Sequence, residues 1–105
     1  MNCNIPADVL TELISLFERN TAIDKVEVFG SRARGDHTPK SDIDLAIYSK
    51  TISKEAFKLL QLELSELPIF YYIDSVHFEN ATQALKDNIK KDGIVIFTKH
   101  AVNDC

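Results

Sequence analysis

The chain has 105 residues, 45% of them hydrophobic, and a formal net charge of -4. That length suits one globular domain spanning residues 1–105 and leaves no room for two of ordinary size. The acidic balance excludes a general positive field that would draw the molecule onto nucleic acid or an anionic membrane, so neither is expected as a direct partner.

The first apolar pattern has helical spacing. Val9, Leu13 and Leu16, with Leu10, Ile14 and Phe17 beside them, form one face after Pro6, which suits a first helical turn. A helix over residues 6–20 is expected. Lys25 to Phe29 then alternates, is rich in strand formers and ends at Gly30, where backbone can turn sharply or approach a ligand. After a polar stretch with two glycines and a proline, Asp42 to Tyr48 reads as the second strand, its apolarity interrupted by Asp42 and Asp44.

Phe57, Leu60, Leu64 and Leu67 mark the next long helix, capped at Ser53 and closed by Pro68, with Leu59 and Leu62 widening its apolar face. A third strand is expected from Ile69 to Phe78, the aromatic run Phe70, Tyr71 and Tyr72 packing within it or forming part of an interface. Asn80 with Gln83 resembles a capping box for a helix ending in Lys90, Lys91 and Gly93, and Ile94 to Thr98 reads as the last strand. The pattern predicts an α/β (α+β) fold, a small sheet flanked by helices.

No apolar run is long enough to span a bilayer and no signal-peptide pattern is present, so a cytoplasmic location is expected. Cys3 and Cys105 lack ligand or disulfide spacing and read as free thiols, and His37, His77 and His100 lie too far apart for a ligand set.

The chemistry concentrates between Gly30 and Asp44. Gly30-Ser-Arg-Ala-Arg-Gly35 is followed after six residues by Asp42-Ile-Asp44, so a phosphate-type loop lies directly upstream of paired carboxylates. If Ser31 opens a short helix, its backbone N–H groups and hydroxyl are donors for an anion. Arg32, Arg34 and Lys40 add positive charge in an otherwise acidic chain. Residues i and i+2 of a strand share a face, so Asp42 and Asp44 present their carboxylates side by side, where magnesium is the natural counter-ion. Asp74 is the one carboxylate within the third strand, and a neighbouring strand would carry it to the same cluster. The plain alternatives are a capping or loop role for the Asp pair, a solvent-facing edge charge for Asp74, and a solvated loop for the three cations.

Gly-Ser, ten residues, Asp-x-Asp and a later isolated Asp resemble the nucleotidyltransferase superfamily that includes DNA polymerase β. More narrowly, Gly-Ser-Arg-Ala-Arg-Gly with Ser-Asp-Ile-Asp-Leu is similar to the minimal nucleotidyltransferases, the MNT proteins. This resemblance implies the nucleotidyltransferase fold. It also implies Gly30 and Ser31 on the triphosphate, Arg32 and Arg34 as phosphate or partner contacts, and Asp42 and Asp44 on two Mg2+ ions. Asp74 takes the remaining metal contact, the acceptor proton or both, and Ser75 follows it where an apolar residue is more typical. MNT proteins are similar to antitoxins paired with helical HEPN toxins, which implies ATP as the nucleoside triphosphate, AMP transfer onto a tyrosine of a HEPN-type partner, and an antitoxin role. Two other readings stand beside it: a binding module that neutralises a helical partner by occlusion, and transfer to a small molecule with a partner supplying the acceptor site.

Overall fold

A computed structural model describes residues 4–99 and the backbone of residues 101–102; Cys3, His100 and Cys105 lie outside the described residues. The helices are α1 (Ala7–Glu18), α2 (Ser31–Arg34), α3 (Lys54–Ser65) and α4 (Gln83–Asp92), and the strands are β1 (Lys25–Phe29), β2 (Ile43–Tyr48), β3 (Ile73–His77), β4 (Ile94–Thr98) and β5 (Ala101–Val102). The strands form one mixed sheet in the order β3-β2-β1-β4-β5. β2 and β3 run parallel and every other pair is antiparallel. This is the expected α+β architecture, with β5 as a short addition that the sequence did not announce.

Strand alternation divides the sheet into two faces. Val26 and Val28 of β1 and Ile43, Leu45 and Ile47 of β2 are fully buried and share one core with Val9, Leu13, Leu16 and Phe17 of α1 and Leu60 and Leu64 of α3. His77 of β3 stacks on Phe57 of α3, with ring centroids 5.4 Å apart, so α1 and α3 cover this face together. The other face carries Glu27 and Phe29 of β1, Asp44 and Tyr48 of β2, and Asp74 of β3. Part of it is covered by α4, whose Leu85 and Asn88 share a groove with Phe29. Tyr48 donates to the Glu27 carboxylate and stacks on Phe78 at 4.2 Å. Burial and that carboxylate push the Tyr48 hydroxyl well above the usual tyrosine range.

Several expected boundaries shift: α1 is Ala7–Glu18 rather than 6–20, and β2 begins at Ile43 and leaves Asp42 outside the strand. The third strand is Ile73–His77 rather than Ile69 to Phe78; after Pro68 the chain bends through Phe70, which is fully exposed, and enters the sheet only where Ile43 donates its N–H to the Tyr72 carbonyl. The cap of α4 is Thr82, whose hydroxyl accepts from the Leu85 N–H, while Asn80 ends a 3-10 turn begun at Phe78. Asn80 is thus two residues early for the expected capping box. Ser53 caps α3 as expected, accepting from the Ala56 N–H.

Candidate functional site

β1 delivers the chain to Gly30, whose φ of 76° lies in the region that favours glycine. The need is steric as well. A Cβ at Gly30 would lie 2.5 Å from Asp44 Oδ2, so the bare backbone is what lets the turn pass beside that carboxylate. From Gly30 the chain enters α2, and Gly35, with φ 88°, closes it by donating its N–H to the Ser31 carbonyl.

Asp44 sits opposite Phe29 in the antiparallel pairing and opposite Asp74 in the parallel one. Equal register on adjacent strands puts Asp44 and Asp74 side by side on the face away from the main core. Asp42 lies just ahead of β2, exposed, with the same parity as Asp44. The electrostatics reflect this grouping. The Asp44 carboxyl is raised above its ordinary value, first by burial and then by the negative charges of Asp74 and Asp42, while Arg34 pulls it back down. Among the described residues no three ligand-type side chains converge closely enough to form a ready-made metal site. The donor chemistry nevertheless fits a hard divalent cation: Asp44 and Asp74 are side by side on one sheet face, Asp42 lies just ahead of β2, and the carboxyl of Asp44 is raised by burial and by both neighbours.

The two arginines part company. Arg32 is buried; its Nη1 donates to the Asn4 carbonyl at 2.8 Å, its Nε and Nη2 donate to the Ser41 carbonyl at 3.3 and 3.1 Å, and it lies over the Tyr71 ring. It ties the segment before α1 to the residue just ahead of Asp42 and thereby fixes the loop between Gly35 and β2. Arg34 is exposed and pairs with Asp36 and Asp92, each at 3.1 Å, which raises its already high pKa further. Ser31 is half-buried at the start of α2, and Lys40 is exposed.

A groove of about 390 Å³ adjoins the cluster, with Gly30 and Arg34 on one side and Leu85, Asn88, Lys91 and Asp92 of α4 on the other. Of these α4 residues only Lys91 is marked in the sequence, as a cation near the helix end; Leu85, Asn88 and Asp92 are not. Their i, i+3, i+7 spacing marks a helix face, but a face of mixed polarity gives no hydrophobic signal.

The polymerase beta nucleotidyltransferase family profile matches residues 11–101. Among solved structures, a toxin-antitoxin complex with AMP-PNP contains a chain of TM-score 0.71 and 23% identity, the match covering 85% of this chain and 73% of that one. A complex of a tri-AMPylated Shewanella oneidensis HEPN toxin with MNT antitoxin contains one of TM-score 0.64 and 20% identity, covering 88% and 71%. A minimal nucleotidyltransferase aligns with TM-score 0.68 and 25% identity over 90% of this chain and 95% of its own. No curated protein matches the chain.

Proposed function

Since the chain belongs to the polymerase beta nucleotidyltransferase family, we propose that residues 1–105 act as one minimal nucleotidyltransferase domain that moves AMP from ATP onto a hydroxyl of a partner protein. The partner is a helical HEPN-type toxin, the acceptor one of its tyrosines, and the chain its antitoxin, acting in the cytoplasm. The likeness to chains in toxin-antitoxin complexes, one with AMP-PNP and one with an AMPylated HEPN toxin, supports this choice.

The single observation that carries the reading is the register of Asp44 against Asp74, with the Gly30 turn passing beside Asp44. Gly30 and Ser31 receive the triphosphate through backbone N–H groups and a hydroxyl. Arg34 shifts its charge from Asp36 and Asp92 toward the phosphates, and Arg32 serves the nucleotide by holding the loop rather than by contact. Asp42, Asp44 and Asp74 would hold two Mg2+ ions, which when bound supply charge neutralisation at the phosphates. The acceptor oxygen attacks the α-phosphorus in line, the bond from that phosphorus to the β-bridging oxygen breaks, and pyrophosphate leaves. The hydroxyl proton passes to a carboxylate, a role we give to Asp74.

The exposed side chains of Leu59, Leu62, Phe70 and Tyr72 favour a second reading, in which a partner is covered and silenced without transfer. One experiment separates the two. The chain is mixed with the product of its adjacent gene, ATP and magnesium, and intact masses are followed. A gain of one or more AMP units on the partner supports transfer. Association without mass gain supports occlusion, and absence of association removes the partner from the account.

A further inference from the structure

The groove beside Gly30 shares Gly30 and Arg34 with the phosphate contacts proposed above and runs from them along α4. Phe29 and Leu85 supply apolar surface. Asn88 supplies a carboxamide on an exposed position of α4 that makes no hydrogen bond in the structure. Arg34 and Asp92, joined at 3.1 Å, and Lys91 make the rest of the lining charged. Gly30 is common to the groove and to the carboxylate cluster, and Phe29 is the strand partner of Asp44.

From this juxtaposition we infer that the groove seats the nucleobase of the donor and that Asn88 reads it as adenine. The inference rests on the nucleotidyl-transfer reading and adds to it the residue that selects the base. Phe29 and Leu85 can flank a flat heteroaromatic ring, and the polar side chains beside them can fix its orientation. A carboxamide offers an acceptor and a donor side by side, complementary to the N6 amine and N7 of adenine. Guanine presents two acceptors, O6 and N7, on the same edge and can satisfy only the amide donor. A base in this groove stays attached to a triphosphate at Gly30 because the turn itself forms part of the groove wall.

The test is calorimetric titration of the full chain, wild type and Asn88→Ala, with the magnesium complexes of ATP, GTP and tripolyphosphate. Wild type is expected to bind ATP more tightly than GTP or tripolyphosphate. Asn88→Ala is expected to weaken ATP about tenfold, the worth of two modest neutral hydrogen bonds, and to leave tripolyphosphate unchanged. Because Asn88 is exposed, its truncation should not move the melting temperature of the free chain. Three results would overturn the inference while leaving the transfer reading intact: unchanged ATP affinity in the variant, equal loss for ATP and tripolyphosphate, or wild-type affinity for GTP equal to that for ATP. Failure of wild type to bind either ATP or tripolyphosphate would overturn both.

Discussion

Along β2, Ile43, Leu45 and Ile47 are fully buried in the core under α1 and α3, while Asp44, between the first two, faces the other way beside Asp74 and the Gly30 turn. One strand thus holds the fold with one set of side chains and gathers like charges with the other. Removing apolar surface from water stabilises the first face. On the second face, burial and neighbouring carboxylates work against the charged form of Asp44. The lesson is that stability and chemistry are separated by the two-residue period of the strand, so neighbouring substitutions should fail in different ways.

The largest effect on the fold should come from Leu45→Ala. Leu45 is fully buried, and truncating such a side chain costs about 2–5 kcal/mol. Urea unfolding should show the loss, while the fraction that remains folded keeps its nucleotide affinity. A loss of affinity in the folded fraction would break the separation of the two faces.

Next in size is the response of the charged face to its ligands. NTP and magnesium together should raise the melting temperature more than either alone, because each supplies part of what the other binds to. At about a hundred times the dissociation constant the gain is roughly 2.7 kcal/mol. Equal melting temperatures with and without the pair at millimolar concentration would argue against a nucleotide site.

The two glycines around α2 separate backbone strain from the geometry of the site. Both have positive φ, so alanine at either position stores strain of order 1 kcal/mol. At Gly35 the new Cβ meets only Asn4 Nδ2 at 3.9 Å, whereas at Gly30 it falls 2.5 Å from Asp44 Oδ2. Gly35→Ala should therefore lose stability alone, and Gly30→Ala should also lose nucleotide affinity. Equal binding losses in the pair would mean that the close approach of Gly30 to Asp44 has no role.

The smallest effect is one of pH. The folded-state pKa of Asp44 is raised, so the folded chain retains that proton more readily than the unfolded chain does. Its contribution therefore lowers stability as pH rises from the ordinary aspartate range through the raised value. Asp44→Asn removes this cost, so the free variant should be slightly more stable than wild type at neutral pH. The gain should fade below the ordinary aspartate pKa, where both forms are uncharged. Melting curves at acid and neutral pH check the sign, and a gain that grows on acidification would contradict it.

Much of this arrangement was legible in the residues. Alternation in Lys25–Phe29 and helical spacing in Val9, Leu13 and Leu16 placed β1 and α1 closely, because each buries one clear stripe. Parity predicts Asp42 and Asp44 on one strand face, but β2 begins at Ile43, so only Asp44 of the pair lies in the sheet. The pairing of Asp44 with Asp74 was expected only as a neighbouring strand, since register is set by tertiary packing. The stretch from Ile69 to Tyr72 is as apolar as a strand, yet Phe70 is fully exposed. A run of aromatics carries no period that could have shown where β3 begins. At α4, Asn80 and Thr82 are both good caps by residue type. Phe78 stacks on Tyr48 within a 3-10 turn that ends at Asn80, and the helix starts after Thr82. Charge alone groups Arg32 with Arg34, and only the fold distinguishes a buried loop clamp from an exposed ion pair.

In the reading proposed above, transfer takes place on the carboxylate face of the sheet. Its most direct test is pyrophosphate release from ATP by the chain with the product of its adjacent gene and saturating magnesium, wild type against Asp44→Asn, both verified as folded. Release by wild type and a loss of about a hundredfold to a thousandfold in the variant are expected, comparable to removing a main electrostatic contributor to a transition state. Release by a folded Asp44→Asn variant at near wild-type rate would contradict it.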